Sequence, residues 1–178
     1  MNLPTRDQCI ELMGQAGMLE NIVRHSMAVN LVAVFLAKEI KRNGTRIDVD
    51  LVDRASLLHD LDKHLTFQNG QHGVVGKKML EEKGYPELGE FCVTHNLEFP
   101  LSNSFPSLEH KIVFYADKRV NGDKIVSRKE RFEYIKNKYG ARSPGALSKI
   151  LSCEKFLLEV EEEIFSLAKI NSSLGGLQ

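Results

Sequence analysis

The chain has 178 residues, 42% of them hydrophobic, and its 24 Lys and Arg balance 24 Asp and Glu to a formal net charge of zero. That is enough apolar material for one sizeable core, so a single domain over residues 1–178 is expected, and no global field draws it to nucleic acid or membrane. No run reaches the roughly 18 apolar residues of a membrane helix, residues 1–9 lack the apolar stretch of a secretion signal, and Cys9, Cys92 and Cys153 are too scattered for a disulfide or thiolate-zinc framework.

A cytoplasmic enzyme or regulator is the class these features favour. Periodicity and punctuation predict an all-α bundle of about seven helices. A long helix starts near Leu19 with the stripe Leu19, Ile22, His25, Val29, Val32 and Leu36. It ends at Lys41-Arg42, with Gly44 just past its C-terminus. The next helix places Val52, Ala55, Ser56 and His59 on one face, with Asp60 adjacent and about 100° away. Asn69-Gly70 reads as an interhelical turn, followed by a helix from about Gln71 to Gly84 with the stripe His72, Val75, Gly76 and Met79. Leu88, Phe91, Cys92 and His95 mark another. Residues 96–106 hold two prolines and two phenylalanines, and form either a plain surface connection or a rim facing substrate. Val113, Ala116, Asp117 and Val120 define the next helical stripe, and Asn121-Gly122 is a further interhelical turn. A helix from about Arg128 to Gly140 precedes the last one. Ser143 as N-cap and Pro144 at the first position open that helix at about residue 143, and it runs to about Ile170. No period-two alternation predicts a strand.

Five of these stripes carry a histidine or aspartate where a periodic helix should place an apolar residue. A charge buried without a partner is costly. A divalent cation satisfies several imidazoles and carboxylates at once, so the stripes are expected to converge on a metal centre. His and carboxylate donors without thiolate suit Fe, Mn, Co, Ni or Zn. His25, His59, Asp60 and Asp117 make one ligand set. His72 and His95 exceed what one ion needs and, with Asp60 bridging, would hold a second. His110 lies about 10 Å along its helix from Asp117, too far for the same ion. His64 either supports the site or faces solvent.

The order His25, His59–Asp60, His72, His95, Asp117 resembles the HD-domain superfamily of metal-dependent phosphohydrolases, in its multi-histidine branch. The match includes Leu57-Leu-His-Asp-Leu-Asp-Lys63, similar to the family's His-Asp-x-x-Lys signature, together with His72-x-x-x-Gly76 and Tyr115-Ala-Asp-Lys118. It spans about residues 20–135. One departure is Asp62, where many members carry a small residue. The resemblance implies an HD-type fold and hydrolysis of a phosphoester by metal-activated water, with one or two transition metals bound.

Asp60 and Lys63 are the expected catalytic residues, the lysine steadying a phosphoryl oxygen. Lys63, Arg119, Arg128 and Arg131 are candidates to bind substrate, because guanidinium groups grip such oxyanions bidentately. The substrate is expected to be a small phosphorylated molecule, a nucleotide by preference. No phosphate-binding glycine loop, dedicated nucleic-acid module or membrane segment is recognised. A di-iron oxygenase acting on a small organic substrate, and a non-catalytic nucleotide-binding sensor, are the alternatives these ligands permit.

Overall fold

A computed structural model of the chain describes residues 2–66, 71–174 and 177. It contains α1 (Arg6–Gln15), α2 (Glu20–Arg42), α3 (Val49–Leu58), α4 (Val74–Glu82), α5 (Pro86–Thr94), α6 (Leu108–Asp117), α7 (Arg128–Tyr139) and α8 (Ala146–Ala168). A 3-10 turn at Phe99–Leu101 and a small hairpin of β1 (Val120–Asn121) and β2 (Lys124–Ile125) complete it. The all-α class holds. The eighth helix is α1, which is too weakly patterned to stand out. Its signal is a capping box, with Gln8 N–H donating to Thr5 Oγ1 at 3.2 Å and Thr5 N–H to Gln8 Oε1 at 2.7 Å.

The long helix α2 is the axis of the bundle. Its stripe Ile22, Val29, Val32, Leu36 and Ile40 is buried, and α3, α6 and α8 pack against it. Each such aliphatic side chain removed from water contributes about 1.5–3 kcal/mol. A buried polar knot fixes α3 on α2 and α1: the Asp53 carboxylate accepts from Arg6, Arg54 and Asn30 Nδ2. Helices α4 and α5 pair closely, and α5 packs against α3 and α6. No helix among the described residues is long and apolar enough to cross a membrane.

Several boundaries differ from expectation, for local reasons. Gly44 and Gly84 follow their helices as anticipated, each within paired reverse hydrogen bonds such as Thr45 N–H to Ile40 O and Tyr85 N–H to Leu80 O. Gly140 instead stays right-handed at φ −63. Ser143 and Pro144 form a turn, and α8 begins three residues later, after Gly145. Asn121-Gly122 is not an interhelical turn. It lies at the tip of the hairpin, with Val120 opposite Ile125 and Asn121 opposite Lys124. Strands of two residues are too short for alternation to register. Asn69-Gly70 falls outside the described residues.

His110 stacks on Phe91 with ring centroids 3.8 Å apart, and its Nδ1 meets Ser107 Oγ at 3.0 Å. Burial pushes its pKa down to about 4, against the opposing pull of Glu109 and Glu90. The folded protein therefore holds this imidazole neutral where the unfolded chain, with an ordinary value near 6.5, protonates it. The stability this represents is full above about pH 6.5 and is lost as pH falls toward 4, by roughly 3 kcal/mol at most. Chemical denaturation of His110→Gln against the parent protein should show a shallower loss of stability over that interval.

Candidate metal centre

The site is assembled at helix ends. His59 caps the C-terminus of α3, His95 caps that of α5, and Asp117 is the last residue of α6. Asp60 follows in a run of tight turns, with Leu61 N–H bonding Leu58 O and Lys63 N–H bonding Asp60 O. His72 stands just before α4, and His25 alone comes from a helix interior, in α2. The His-Asp pair thus sits beyond the helix, not within it as its stripe suggested. Helix C-termini carry partial negative charge and favour a cation nearby.

Asp60 lies at the centre with no solvent exposure. Its Oδ2 is 3.6 Å from His25 Nε2 and 3.5 Å from His59 Nε2. Its Oδ1 is 3.1 Å from His72 Nε2 and 3.2 Å from His95 Nε2. Asp117 Oδ1 lies 2.9 Å from His25 Nε2 and 3.9 Å from His59 Nε2. Donors bound about 2.1 Å from one ion sit roughly 3.0–3.4 Å apart, so these separations match shared ions. Two groups could hold a metal: His25, His59 and Asp60, and then Asp60, His72 and His95. His59 Nε2 and Asp60 Oδ1 are buried without a well-aligned hydrogen-bond partner among the described residues. Buried polar atoms left in that state are rare, and a cation is the partner they fit.

The opposite ring nitrogens show how the histidines are aimed. His25 Nδ1 meets Gly122 O at 2.7 Å, His59 Nδ1 meets Ser56 O at 2.8 Å, and His95 Nδ1 meets Phe91 O at 3.1 Å. His72 Nδ1 meets Asp62 Oδ1 at 2.8 Å. Each acceptor requires the proton on Nδ1 and turns the Nε2 lone pair toward Asp60. His59 is held neutral, burial pushing its pKa down to about 3. Burial alone would raise the Asp60 carboxyl, but the Lys63 ammonium outweighs it and holds the group well below the usual carboxylate range. Lys63 Nζ reaches Asp60 Oδ2 at 2.5 Å. Lys118 joins Asp117 Oδ2 to His95 O, both at 2.5 Å.

Asp62, the departure in the signature, has a definite place. Besides His72 it accepts Gly73 N–H and Gly76 N–H, both at 2.8 Å, at the N-terminus of α4. A carboxylate there is favoured by the helix dipole. Gly73 permits the close approach: its φ is +89, and a Cβ would lie 2.2 Å from Cys92 O.

A cavity of about 680 Å³ opens over the centre, lined by Lys63, His72, His95, Asp117, Lys118 and Arg131 among others. Of the arginines singled out in the sequence, only Arg131 lines it. Arg119 is buried elsewhere, bonding Val126 O, Ser172 O and the Tyr115 hydroxyl. Arg128 is engaged by Glu161 at 3.3 Å and Glu154 at 3.8 Å. Sequence reasoning passed over Lys118, the Gly122 carbonyl and the cavity wall from α7 to α8. The Asn-Gly dipeptide was the available signal for the carbonyl.

The family model for the HD domain matches residues 22–122. The chain belongs to the HD-domain family. This HD domain is 34% identical to an uncharacterized protein of Methanocaldococcus jannaschii, over 84% of this chain and 91% of that one. It is 27% identical to a tRNA (cytidine(56)-2'-O)-methyltransferase of Thermoplasma volcanium over 89% of the chain, spanning only 48% of that protein. It is 28% identical to Ribonuclease Y of Desulfotalea psychrophila over 66% of the chain and 21% of that protein. No solved structure matches it.

Loss of a group that orients a metal-binding histidine typically costs about 10–100-fold in metal affinity. Asp62→Ala should weaken binding at the His72, His95 and Asp60 group by that factor and leave the His25, His59 and Asp60 group nearly unchanged. Calorimetric titration of the metal-free protein with Mn or Zn should therefore show one weakened step of two.

Proposed function

We propose that this HD domain is a metal-dependent phosphohydrolase acting on a nucleotide or another small phosphoester. The observation that supports this most strongly is Asp60, whose two oxygens face two separate groups of ligand atoms, the second of which, through His72 and His95, reaches a cation-lined cavity. Divalent ions in such a pair of sites lower the pKa of a bound water and clamp the oxygens of a phosphoryl group. The chain's own part is to hold four imidazole lone pairs and two carboxylates on that centre. Lys63, part-exposed beside Asp60, and Arg131, whose Nη1 donates to Asn121 Oδ1 at 3.0 Å, would neutralise the phosphoryl oxygens. Asp117, tied to Lys118, steadies His25.

Metal analysis followed by a panel of nucleotides, generic phosphoesters and short RNAs with Mn, Fe, Co, Ni and Mg tests the proposal. The RNA members are there because two of the relatives carry RNA-related names. Metal-dependent release of phosphate or nucleotide supports it. Turnover that requires dioxygen, or tight nucleotide binding with no turnover under any metal, overturns it.

Within that assay, Asp60→Ala should abolish hydrolysis and strip metal, because Asp60 belongs to both ligand groups. Lys63→Ala should retain metal and lower kcat/KM by about 10²–10³, the usual cost of one electrostatic donor. The check is kcat/KM with metal content measured on the same samples.

A further inference from the structure

The floor of the cavity comes from residues inside the family match at 22–122, but much of its outer wall does not. Ile135, Tyr139, Arg142, Lys149 and Ile150, from α7, α8 and the turn between them, line it from outside that match. Arg142 differs in kind from the cations nearer the metal ligands. Lys63 is paired with Asp60 and Lys118 with Asp117, whereas Arg142 makes no ion pair and no side-chain hydrogen bond among the described residues. Its guanidinium lies over the Tyr139 ring, 4.3 Å from the centroid. Stacking fixes the plane of the group without using its N–H donors. All five donors remain for an oxyanion, in the bidentate fork that matches a phosphate. Lys149, which lines the same cavity, is held among the described residues by Glu98 alone, at 3.1 Å, with both side chains mostly exposed. Such a pair is worth little and is readily exchanged for a ligand.

We propose that Arg142, supported by Lys149, forms a second phosphate subsite, so that the substrate is a dinucleotide or short oligonucleotide carrying a phosphate besides the one at the metal centre. This rests on the phosphohydrolase reading only for the position of the first phosphate. The cavity volume of about 680 Å³ falls within the usual range for ligand sites, about 300–1,000 Å³, and accommodates a ligand of that size. Leu97, Ile135, Ala146 and Ile150 give the cavity apolar wall, and the acidic Glu98 that also lines it is matched by Lys149.

A matched pair of probes separates one phosphate from two: ApA and 5'-phosphorylated pApA, each in its hydrolysis-resistant phosphorothioate form. Affinities for the Mn-loaded full-length protein are measured by calorimetry. The parent protein should bind pApA at least tenfold more tightly than ApA. Arg142→Ala should reduce that preference to less than threefold, and Arg142→Lys should restore part of it. Lys155→Ala, exposed on α8 and outside the cavity, controls for net charge. Equal affinity of the parent for the two probes, a preference that survives Arg142→Ala, or no measurable binding of either overturns the proposal. Because the readout is binding, absence of hydrolysis across the panel would remove the phosphohydrolase reading while leaving this subsite to stand or fall separately.

Discussion

A carboxylate with no access to water sits at the middle of this protein, and the surrounding architecture is the means of keeping it charged. An unpaired ion in the Asp60 position would cost several kcal/mol even after relaxation. Lys63 meets one oxygen, four imidazole nitrogens lie within 3.6 Å of one oxygen or the other, and the ends of three helices approach from around it. The histidines share that duty unequally: against burial, Asp60 and Asp62 push His72 up to about 9, while burial holds His59 and His95 toward the neutral form. Neutral imidazoles packed around a carboxylate present lone pairs to a negative charge. The cluster is mutually repulsive without positive charge among its members, and the same lone pairs are what a divalent ion requires.

That requirement explains why the ligands sit where helices stop. At a helix C-terminus the last carbonyls lack intrahelical partners. His59 uses such a carbonyl, Ser56 O, and His95 shares Phe91 O with its own backbone N–H, each fixing its Nδ1 proton. The same backbone groups that end the helix therefore choose the tautomer that faces the metal site. On the opposite side the polarity is reversed: the N-terminus of α4 presents N–H groups, and Asp62 occupies them while orienting His72. One carboxylate is thus accommodated by a helix N-terminus and the other by cations, and the two lie only two residues apart in the chain.

Much of this was legible in the sequence, and the unread parts share a cause. Inward histidines and aspartates on otherwise apolar stripes identified His25, His59, Asp60, His72, His95 and Asp117, all of which the fold brings together. Side-chain periodicity carries no record of backbone acceptors, so the Gly122 carbonyl that fixes His25 went unread, and a two-residue strand has no period to detect. Nor does proximity in sequence determine partnership. Arg119 follows Asp117 by two residues, yet its side chain turns away to Tyr115, Val126 and Ser172. Arg142, twenty-five positions from Asp117, shares the cavity with it.

The contrast between Arg119 and Arg142 shows how the fold divides its labour. Charges that hold the molecule together are satisfied: Arg119 by carbonyls and a hydroxyl, Arg128 by Glu154 and Glu161, and Asp53 by Arg6, Arg54 and Asn30. A buried group with its donors filled has nothing left to offer a ligand, and breaking its bonds would cost about 1–3 kcal/mol for each polar atom stranded. The groups around the cavity are held differently, by stacking, by a solvent-exposed ion pair, or by a neutral amide oxygen, as for Arg142, Lys149 and Arg131 respectively. These restraints position a charge without neutralising it. The metal-ligand floor, fixed by buried geometry, is where chemistry has to be exact in placement. On the proposed reading, the wall from α7 and α8, whose cations are held by weak contacts, is where selection among substrates would change without disturbing the centre beneath.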